Sequence, residues 1–164
     1  MEQYPAYKTA CNLPGSLDFS HNPKELKKNI EYFKSNNLDL LIASRYLKNS
    51  QIINWSFGRR ILSKLSNILA RTLLSVKLND FTNGFRIYST RATERIIKTC
   101  GNIGDGFIIL SEIIIVIKNN SFKIDEIETI FVNRSRGESS VNVKLILASL
   151  YGIFKLYFIK NRLN

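Results

Sequence analysis

The sequence predicts an α/β fold, because short apolar runs that suit buried strands alternate with longer segments of helical periodicity. Asn22-Pro23 opens the first predicted helix, which ends near Asn36. Proline is favoured at the first helical position, where its missing N–H would have no partner in any case. Leu38–Ala43 follows at once as a short apolar run. The chain therefore begins with the helix and buried strand that are typical of this fold class.

The segment Phe57–Val76 has the clearest helical pattern in the chain. Residues spaced by three or four positions share its mostly apolar face: Ile61, Leu62, Leu65, Ile68, Leu69, Thr72, Leu73 and Val76. The opposite face is predicted to carry Arg60, Lys64, Asn67 and Arg71. A basic amphipathic helix of this kind either packs on the core with a solvated basic face or lies on a membrane surface. The sequence leaves both alternatives open.

The later segments continue the alternation of helices and strands. The predicted elements are a strand at Phe85–Ser89, a helix at Thr90–Thr99, an apolar helix at Phe107–Lys118, a strand or bent strand pair at Lys123–Asn133 and a second apolar helix at Val143–Lys160. None reaches the roughly 18–20 apolar residues that span a bilayer. We therefore expect a soluble or surface-bound chain, with residues 1–16 as an irregular leader, 17–140 as the main domain and 141–164 as a carboxyl-terminal helix.

The charge balance favours an anionic partner. The 164 residues include 24 Lys and Arg against 13 Asp and Glu, a formal net charge of +11. Nucleic acid, anionic lipid and phosphorylated substrates all fit such a balance. A nucleic-acid partner is disfavoured, because no basic motif is interleaved with aromatic residues. The two cysteines lie far apart without metal-ligand spacing, which argues against zinc and weakly favours a reducing compartment.

Two polar motifs follow predicted strand ends. Asp18 and Ser20 offer oxygen ligands of the kind that Mg²⁺ or Mn²⁺ prefers, although an Asp before a helix is more often a cap. Arg45 lies between Ser44 and Tyr46, directly after a predicted strand. An Arg at the carboxyl end of a strand can bind phosphate with two parallel hydrogen bonds, and the alternative is an ordinary surface Arg.

Two further motifs combine charged and flexible residues. The turn from Asp80 to Arg86 includes Gly84, which permits a positive φ or a close approach of the backbone. Arg86 is a candidate partner for an acid or a phosphate. The loop that begins at Arg134 carries two Arg, a Gly and several Ser, a composition suited to anion binding. A plain polar turn and a solvated basic loop are the respective alternatives.

Taken in order, these motifs resemble the polyprenyl-phosphate mannosyltransferases of glycosyltransferase family 2. The series is Asp-x-Ser-His-x-Pro, Ser-Arg-Tyr, Arg-Arg-x-x-Ser, Asp-x-Thr-x-Gly-Phe-Arg and Arg-x-x-Gly-x-Ser. The resemblance extends from about Leu17 to at least Ser140, and its most specific part is Thr82-Asn83-Gly84-Phe85-Arg86. It implies a GT-A (nucleotide-diphospho-sugar transferase) fold with amphipathic helices that face a membrane.

The resemblance also implies a role for each matching residue. Asp80 takes the place of an acid beside the acceptor and donor phosphates, and we take it as the catalytic candidate. Glu126 matches a Glu that opens the last core strand. The implied substrate-binding residues are Arg45, Arg59, Ser63, Gly84, Arg86 and Arg134. The implied metal ligands are Asp18 and Ser20, with a divalent Mg or Mn cation whose binding we expect to be weakened, because Ser16 replaces an Asp.

The implied function is transfer of mannose or another hexose from a nucleotide sugar to dolichyl or polyprenyl phosphate. Segments that would hold the nucleobase and ribose do not appear before Leu17, so we expect an incomplete GT-A fold and weak or no activity of the isolated chain. The alternative is a non-catalytic module that binds lipid phosphate or a membrane, and such a module could work beside a partner chain. Under either hypothesis we expect a cytoplasmic protein that is peripheral on the membrane.

Overall fold

The computed structural model describes residues 23–101, 103, 107–132 and 143–163. Its helices are α1 (Pro23–Ser35), α2 (Phe57–Leu74), α3 (Thr90–Thr99), α4 (Phe107–Asn119) and α5 (Val143–Ile159), with a 3-10 turn at Lys160–Arg162. Its strands are β1 (Leu40–Ser44), β2 (Gln51–Ile53), β3 (Arg86–Tyr88), β4 (Ile124–Glu128) and β5 (Ile130–Val132). This order of elements confirms the predicted α/β class.

The main sheet is built around β1. The strand order is β3-β1-β4, with β1 antiparallel to β3 and parallel to β4. Leu41 lies opposite Ile87 in β3 and Asp125 in β4. All five residues of β1 are buried, as expected for an apolar strand with a neighbour on each side. The short strands β2 and β5 form a separate parallel pair.

Alternate residues of β1 face two different apolar clusters. Leu40 and Ile42 pack in the larger cluster, with core residues of α2, α4 and α5. Leu41 packs in the smaller cluster with Phe33 of α1. Because successive side chains of a strand point to opposite faces, the sheet lies between α1 on one side and α2, α4 and α5 on the other.

Most predicted boundaries agree with the structure to within two residues. For Lys123–Asn133 a strand or a bent strand pair was predicted, and the structure has two strands there, β4 and β5, separated by Thr129. The strand β2 was missed, because its three residues are too few to show a period. Among the described residues, the structure contains no helix with both the length and the apolar composition to cross a membrane.

The orientation of α2 corrects the sequence prediction. The helix begins after Ser56, whose side chain caps it by accepting from the Arg59 N–H, and it ends at Ser75 in the left-handed conformation. Its buried residues are Ser66, Asn67, Ala70 and Leu74. Asn67 was predicted on the solvated face, but it is only 4% exposed. The apolar residues Ile61, Leu65 and Ile68 are exposed instead, so the face predicted as apolar is divided between core and surface.

Helices α4 and α5 approach each other closely at Gly152. A Cβ added there would lie 2.7 Å from Cγ1 and 2.9 Å from Cδ1 of Ile108. We expect Gly152→Ala to lower the free energy of unfolding by about 1–3 kcal/mol, since overpacking forces neighbours to move. Gly58→Ala is the matched control, because a Cβ at that helical position meets nothing within 4 Å. Urea denaturation measures both, and equal stability of the two variants would contradict this packing.

Candidate functional site

The candidate site forms where the carboxyl end of β1 meets the turn that precedes β3. Arg45 follows β1 directly, and its guanidinium is paired with the fully buried carboxylate of Asp80. Arg45 Nε lies 2.7 Å from Asp80 Oδ2, and Nη2 lies 2.8 Å from Oδ1. This is the two-bond geometry that makes Arg–carboxylate pairs strong and directional. Arg45 is 8% exposed, so the alternative of an ordinary surface Arg is wrong.

Backbone groups complete the shell around the Asp80 carboxylate. The backbone N–H of Arg45 donates to Oδ2 at 3.1 Å. The N–H groups of Thr82 and Asn83 donate to Oδ1 at 3.1 and 3.0 Å, which closes a turn around the side chain. Thr82 Oγ1 accepts a further bond from Arg45 Nη2 at 2.6 Å. The carboxylate therefore fixes both the strand end and the turn.

The electrostatics of the pair favour the charged state of both groups. Burial by itself would raise the pKa of Asp80, but the attraction of Arg45 and the hydrogen bonds from Arg45 and Thr82 hold it below its usual value. Burial would likewise lower the pKa of Arg45, and the attraction of Asp80 raises it instead. A carboxylate held in this way is a poor proton acceptor near neutral pH.

Two further side chains hold the turn in place, and sequence reasoning did not identify them as site residues. Glu126 of β4 accepts from the backbone N–H groups of Asn79 and Asp80 at 2.8 and 2.9 Å. Asn67 of α2 accepts from the Phe81 N–H at 2.7 Å and donates to the Ser63 carbonyl at 2.9 Å. The position of Asn67, three and seven residues before the buried Ala70 and Leu74, is the signal that could have placed it on the inner face.

The start of α2 brings two predicted residues to the same place. Ser63 Oγ accepts a hydrogen bond from the Tyr46 hydroxyl at 2.6 Å. The guanidinium carbon of Arg59 lies 4.3 Å from the ring centroid of Trp55, and that of Arg45 lies 5.2 Å from the same centroid. Partial burial and the positive charge of Arg45 lower the pKa of Arg59. The structure thus brings Arg45, Arg59 and Ser63 together around one aromatic cluster, the rings of Tyr46 and Trp55.

Arg86 binds backbone carbonyls and not an acid, and Gly84 lacks the positive φ that the sequence allowed. Arg86 is 2% exposed, and its guanidinium donates to the carbonyls of Asn83, Leu110 and Phe81 at 2.8, 2.8 and 2.9 Å. In this conformation Arg86 braces the turn against α4 instead of presenting its charge to a ligand. Gly84 does not have a positive φ, and a Cβ there would meet nothing within 4 Å. Of the two expectations for Gly84, only close approach by a ligand is left.

The predicted metal ligands Asp18 and Ser20, the substituted Ser16 and the predicted donor contact Arg134 lie outside the described residues. Among the residues that are described, no group of three or more His, Cys, Asp or Glu could hold a metal ion. Asp80 and Glu126, the acidic residues at the turn of the candidate site, already accept from N–H donors. The described part of the site therefore offers no metal shell of its own, and the divalent cation stays a prediction.

The geometry of the site is suited to binding an anion. A strand end in an open α/β sheet, with two arginines beside a serine hydroxyl, is suited to a phosphate group. The bracing carboxylates of Asp80 and Glu126 set the positions of these donors without facing the ligand as free bases. The chain is therefore an α/β protein with a candidate site for a phosphorylated ligand.

Comparison with known proteins makes this class more specific, although no protein-family model matches the chain. The chain is 29% identical over 147 residues to the polyprenol monophosphomannose synthase of Mycolicibacterium smegmatis, an alignment that covers 90% of the chain and 54% of that protein. It is 34% identical over 141 residues to the dolichol-phosphate mannosyltransferase of Pyrococcus furiosus, covering 85% of the chain and 38% of that protein.

These matches confirm the resemblance that the motifs indicated. The chain is polyprenyl-phosphate mannosyltransferase-like, and its mixed α/β architecture agrees with the GT-A fold that the resemblance to glycosyltransferase family 2 implies. The chain spans about half the length of the first relative and less than half of the second.

Removal of the Asp80 charge tests the central ion pair. We expect Asp80→Asn to lower the free energy of unfolding at pH 7 by about 3–5 kcal/mol, because it leaves Arg45 buried without its counter-charge. Because the pKa of Asp80 is lower in the folded chain, the stability from this pair is present above the unfolded value of about 3.9. It is lost as pH falls through the folded value.

Chemical denaturation at several pH values measures this effect. Glu94→Gln is the matched control, since Glu94 is exposed on α3 and its removal should change stability by no more than about 0.5 kcal/mol. If Asp80→Asn is as stable as that control at pH 7, the pair does not organise the site.

Proposed function

We propose that the chain carries the acceptor side of a transferase that moves mannose, or another hexose, from a nucleotide sugar to a polyprenyl phosphate. The observation that carries the proposal is the convergence of Arg45, Arg59 and Ser63 beside the braced turn of Asp80. The names of both relatives point to the same acceptor class. A phosphate monoester of a long isoprenoid alcohol is the ligand that such a cationic, partly apolar site would take.

The proposed chemistry needs little proton transfer. An oxygen of the lipid phosphate attacks the anomeric carbon with inversion, a new C–O bond to the lipid phosphate forms, and the bond to the nucleoside diphosphate breaks with its electron pair. The attacking oxygen is already anionic, so no general base is required. Arg59 and Ser63 would orient the acceptor phosphate, and a divalent cation with Asp18 and Ser20 would neutralise the departing diphosphate.

Within this proposal Asp80 has a positioning role. Its pKa lies below the usual value, its carboxylate is paired with Arg45, and it has no spare capacity as a base. By holding Arg45 at the end of β1, it fixes one side of the acceptor cluster, which consists of Arg45, Arg59 and Ser63. Arg86 supports the same turn by donating to the carbonyls of Asn83 and Phe81. Arg134 is proposed to contact the donor diphosphate, and Gly84 to allow the substrate to approach the backbone closely.

A second candidate function is a non-catalytic module that binds lipid phosphate. It is favoured by one observation: such a module needs only the acceptor-side residues Arg45, Arg59 and Ser63, which the structure brings together. Both functions require the same lipid phosphate at Arg59 and Ser63. Only sugar transfer distinguishes between them.

An exposed apolar surface next to the site supports binding at a membrane. Helices α2 and α5 pack against each other, and both turn large apolar side chains to the outside. We call this the α2–α5 surface; its members are Phe57, Ile61, Leu65, Ile68, Tyr151, Phe154, Tyr157 and Phe158. Phe57 and Phe158 are 78% and 77% exposed. Exposed basic residues adjoin it, including Arg60, Lys64, Arg71 and Lys155.

This surface and the acceptor site share a helix. Arg59 and Ser63 lie in the same two turns of α2 as Phe57 and Ile61. An isoprenoid chain could thus stay in the lipid while its phosphate reaches the arginines. Apolar side chains in the headgroup layer with cations beside anionic lipid are the features of interfacial helices. We infer that the protein is peripheral on a membrane.

Loss of the Arg59 charge tests the acceptor site. We expect Arg59→Gln to weaken binding of polyprenyl monophosphate in detergent micelles by about tenfold to a hundredfold, since a charge-assisted hydrogen bond contributes about 1.5–3 kcal/mol. Lys98→Gln is the matched control, since Lys98 is exposed on α3, which carries none of the acceptor residues. Isothermal titration calorimetry measures the affinity, and radiolabelled sugar transfer is assayed in parallel. Equal affinity of the Arg59→Gln and wild-type chains would exclude this acceptor site, while binding without transfer would favour the non-catalytic module.

Flotation with liposomes tests the α2–α5 surface. We expect Ile61→Ser with Leu65→Ser to reduce binding to vesicles of anionic phospholipid at least tenfold, because burying each such side chain contributes about 1.5–3 kcal/mol. Ile97→Ser is the matched control, since Ile97 is 73% exposed on α3, away from this surface. Wild-type protein that stays in the soluble fraction at low salt would contradict membrane binding through this surface.

A further inference from the structure

Trp55 lies against both arginines of the acceptor cluster. It lies between β2 and the Ser56 cap of α2, and it is the one tryptophan of the chain. Its side chain is buried, at 9% exposure. Phe131 of β5 packs edge-on against the indole with ring centroids 5.5 Å apart. The indole is therefore held by two elements that flank the site.

The ring of Trp55 contacts both arginines of the cluster. The guanidinium carbons of Arg59 and Arg45 lie 4.3 and 5.2 Å from its centroid. Two like charges near one another repel, and this repulsion contributes to the lowered pKa of Arg59. The negative face of an aromatic ring attracts a cation and offsets part of that cost. Trp55 thus keeps two positive groups close together before any anion arrives.

The indole N–H of Trp55 is a buried hydrogen-bond donor. Nε1 of Trp55 is buried and, within the described residues, has no hydrogen-bond acceptor. Buried donors in folded proteins nearly always have a partner, so a donor without one calls for an explanation. The guanidinium groups of Arg45 and Arg59, which lie over the ring, are donors only and cannot accept from it. An oxygen of a bound oxyanion is an acceptor that this cationic surrounding would attract.

We propose that Trp55 is a binding and positioning residue for the acceptor phosphate: its ring holds Arg45 and Arg59 in place, and its Nε1–H donates to a phosphate oxygen. The inference rests on the proposed function and deepens it, because it assigns a further neutral donor to the site of Arg59 and Ser63. A phosphate that accepts from Arg59, Ser63 and an indole N–H, beside the buried charge of Arg45, is recognised by both its charge and its geometry. Ser63 lies at the same site through Tyr46, which packs on Arg45.

The substitution Trp55→Phe separates the two parts of this role, since it keeps an aromatic face and removes the N–H. We expect it to bind a short-chain isoprenyl monophosphate about tenfold more weakly than wild type in calorimetry. Its binding of the matching isoprenyl alcohol should be unchanged, which a general loss of structure would not produce. Trp55→Leu should weaken phosphate binding further. Phe122→Leu is the matched control, because Phe122 packs under Arg91 in a cation–π contact away from the site.

The fluorescence of wild-type Trp55 provides a test that needs no variant. Addition of the isoprenyl monophosphate should shift the emission to longer wavelength, because the indole N–H gains a charged acceptor, and Arg59→Gln should reduce the shift. If wild type binds the phosphate by calorimetry while its emission and the affinity of Trp55→Phe are unchanged, the role of Trp55 is wrong and the acceptor site stands. If wild type binds no phosphate, the proposed function fails together with this inference.

Discussion

The buried pair of Arg45 and Asp80 is the interaction on which the site depends. Asp80 is fully buried, and a carboxylate in that position is stable only if its charge is matched and its oxygens are hydrogen-bonded. Arg45 supplies the charge, and the N–H groups of Thr82 and Asn83 supply further donors. Since Arg45 follows β1 and Asp80 begins the turn before β3, the pair locks two adjacent strands at the end where ligands bind in open α/β sheets.

The neighbours of this pair explain why the turn has so many polar side chains. Glu126 accepts from the backbone that leads into Asp80, Asn67 accepts from the Phe81 N–H, and Asn83 donates to the Ala43 carbonyl. Arg86 satisfies three carbonyls from inside the core. Each of these groups would be costly to bury alone, and together they leave a rigid support for Arg45.

Helix α2 connects this support to the surface. On its inner side Asn67 holds the turn, and its first two turns present Arg59 and Ser63 to the aromatic cluster. Its outer side carries Ile61, Leu65 and Ile68. One helix therefore joins the braced turn, the cationic cluster and the apolar surface. This arrangement is suited to a ligand with a charged head and an apolar tail.

Much of the fold follows from local patterns, and the site follows from them only in part. The apolar run of β1 and the capped helices were predictable, because burial and capping leave a short-range signal in the sequence. The inward side of Asn67 and the braced position of Arg86 were not, since both depend on carbonyl and N–H groups that only the folded chain brings near. Arg45, Arg59 and Ser63 were placed in one site by the family resemblance, and the structure brings them together. The resemblance did not indicate that Arg45 is held by Asp80.

The most direct measurement of this account is the titration of the Asp80 carboxyl group by carbon-detected NMR in the folded chain. We predict that its pKa lies below the ordinary value of about 3.9, because Arg45 and the surrounding N–H donors stabilise the carboxylate more than burial destabilises it. An ordinary or raised pKa would show that Asp80 is not paired as described. In that case the support for the acceptor cluster would have to come from elsewhere in the fold.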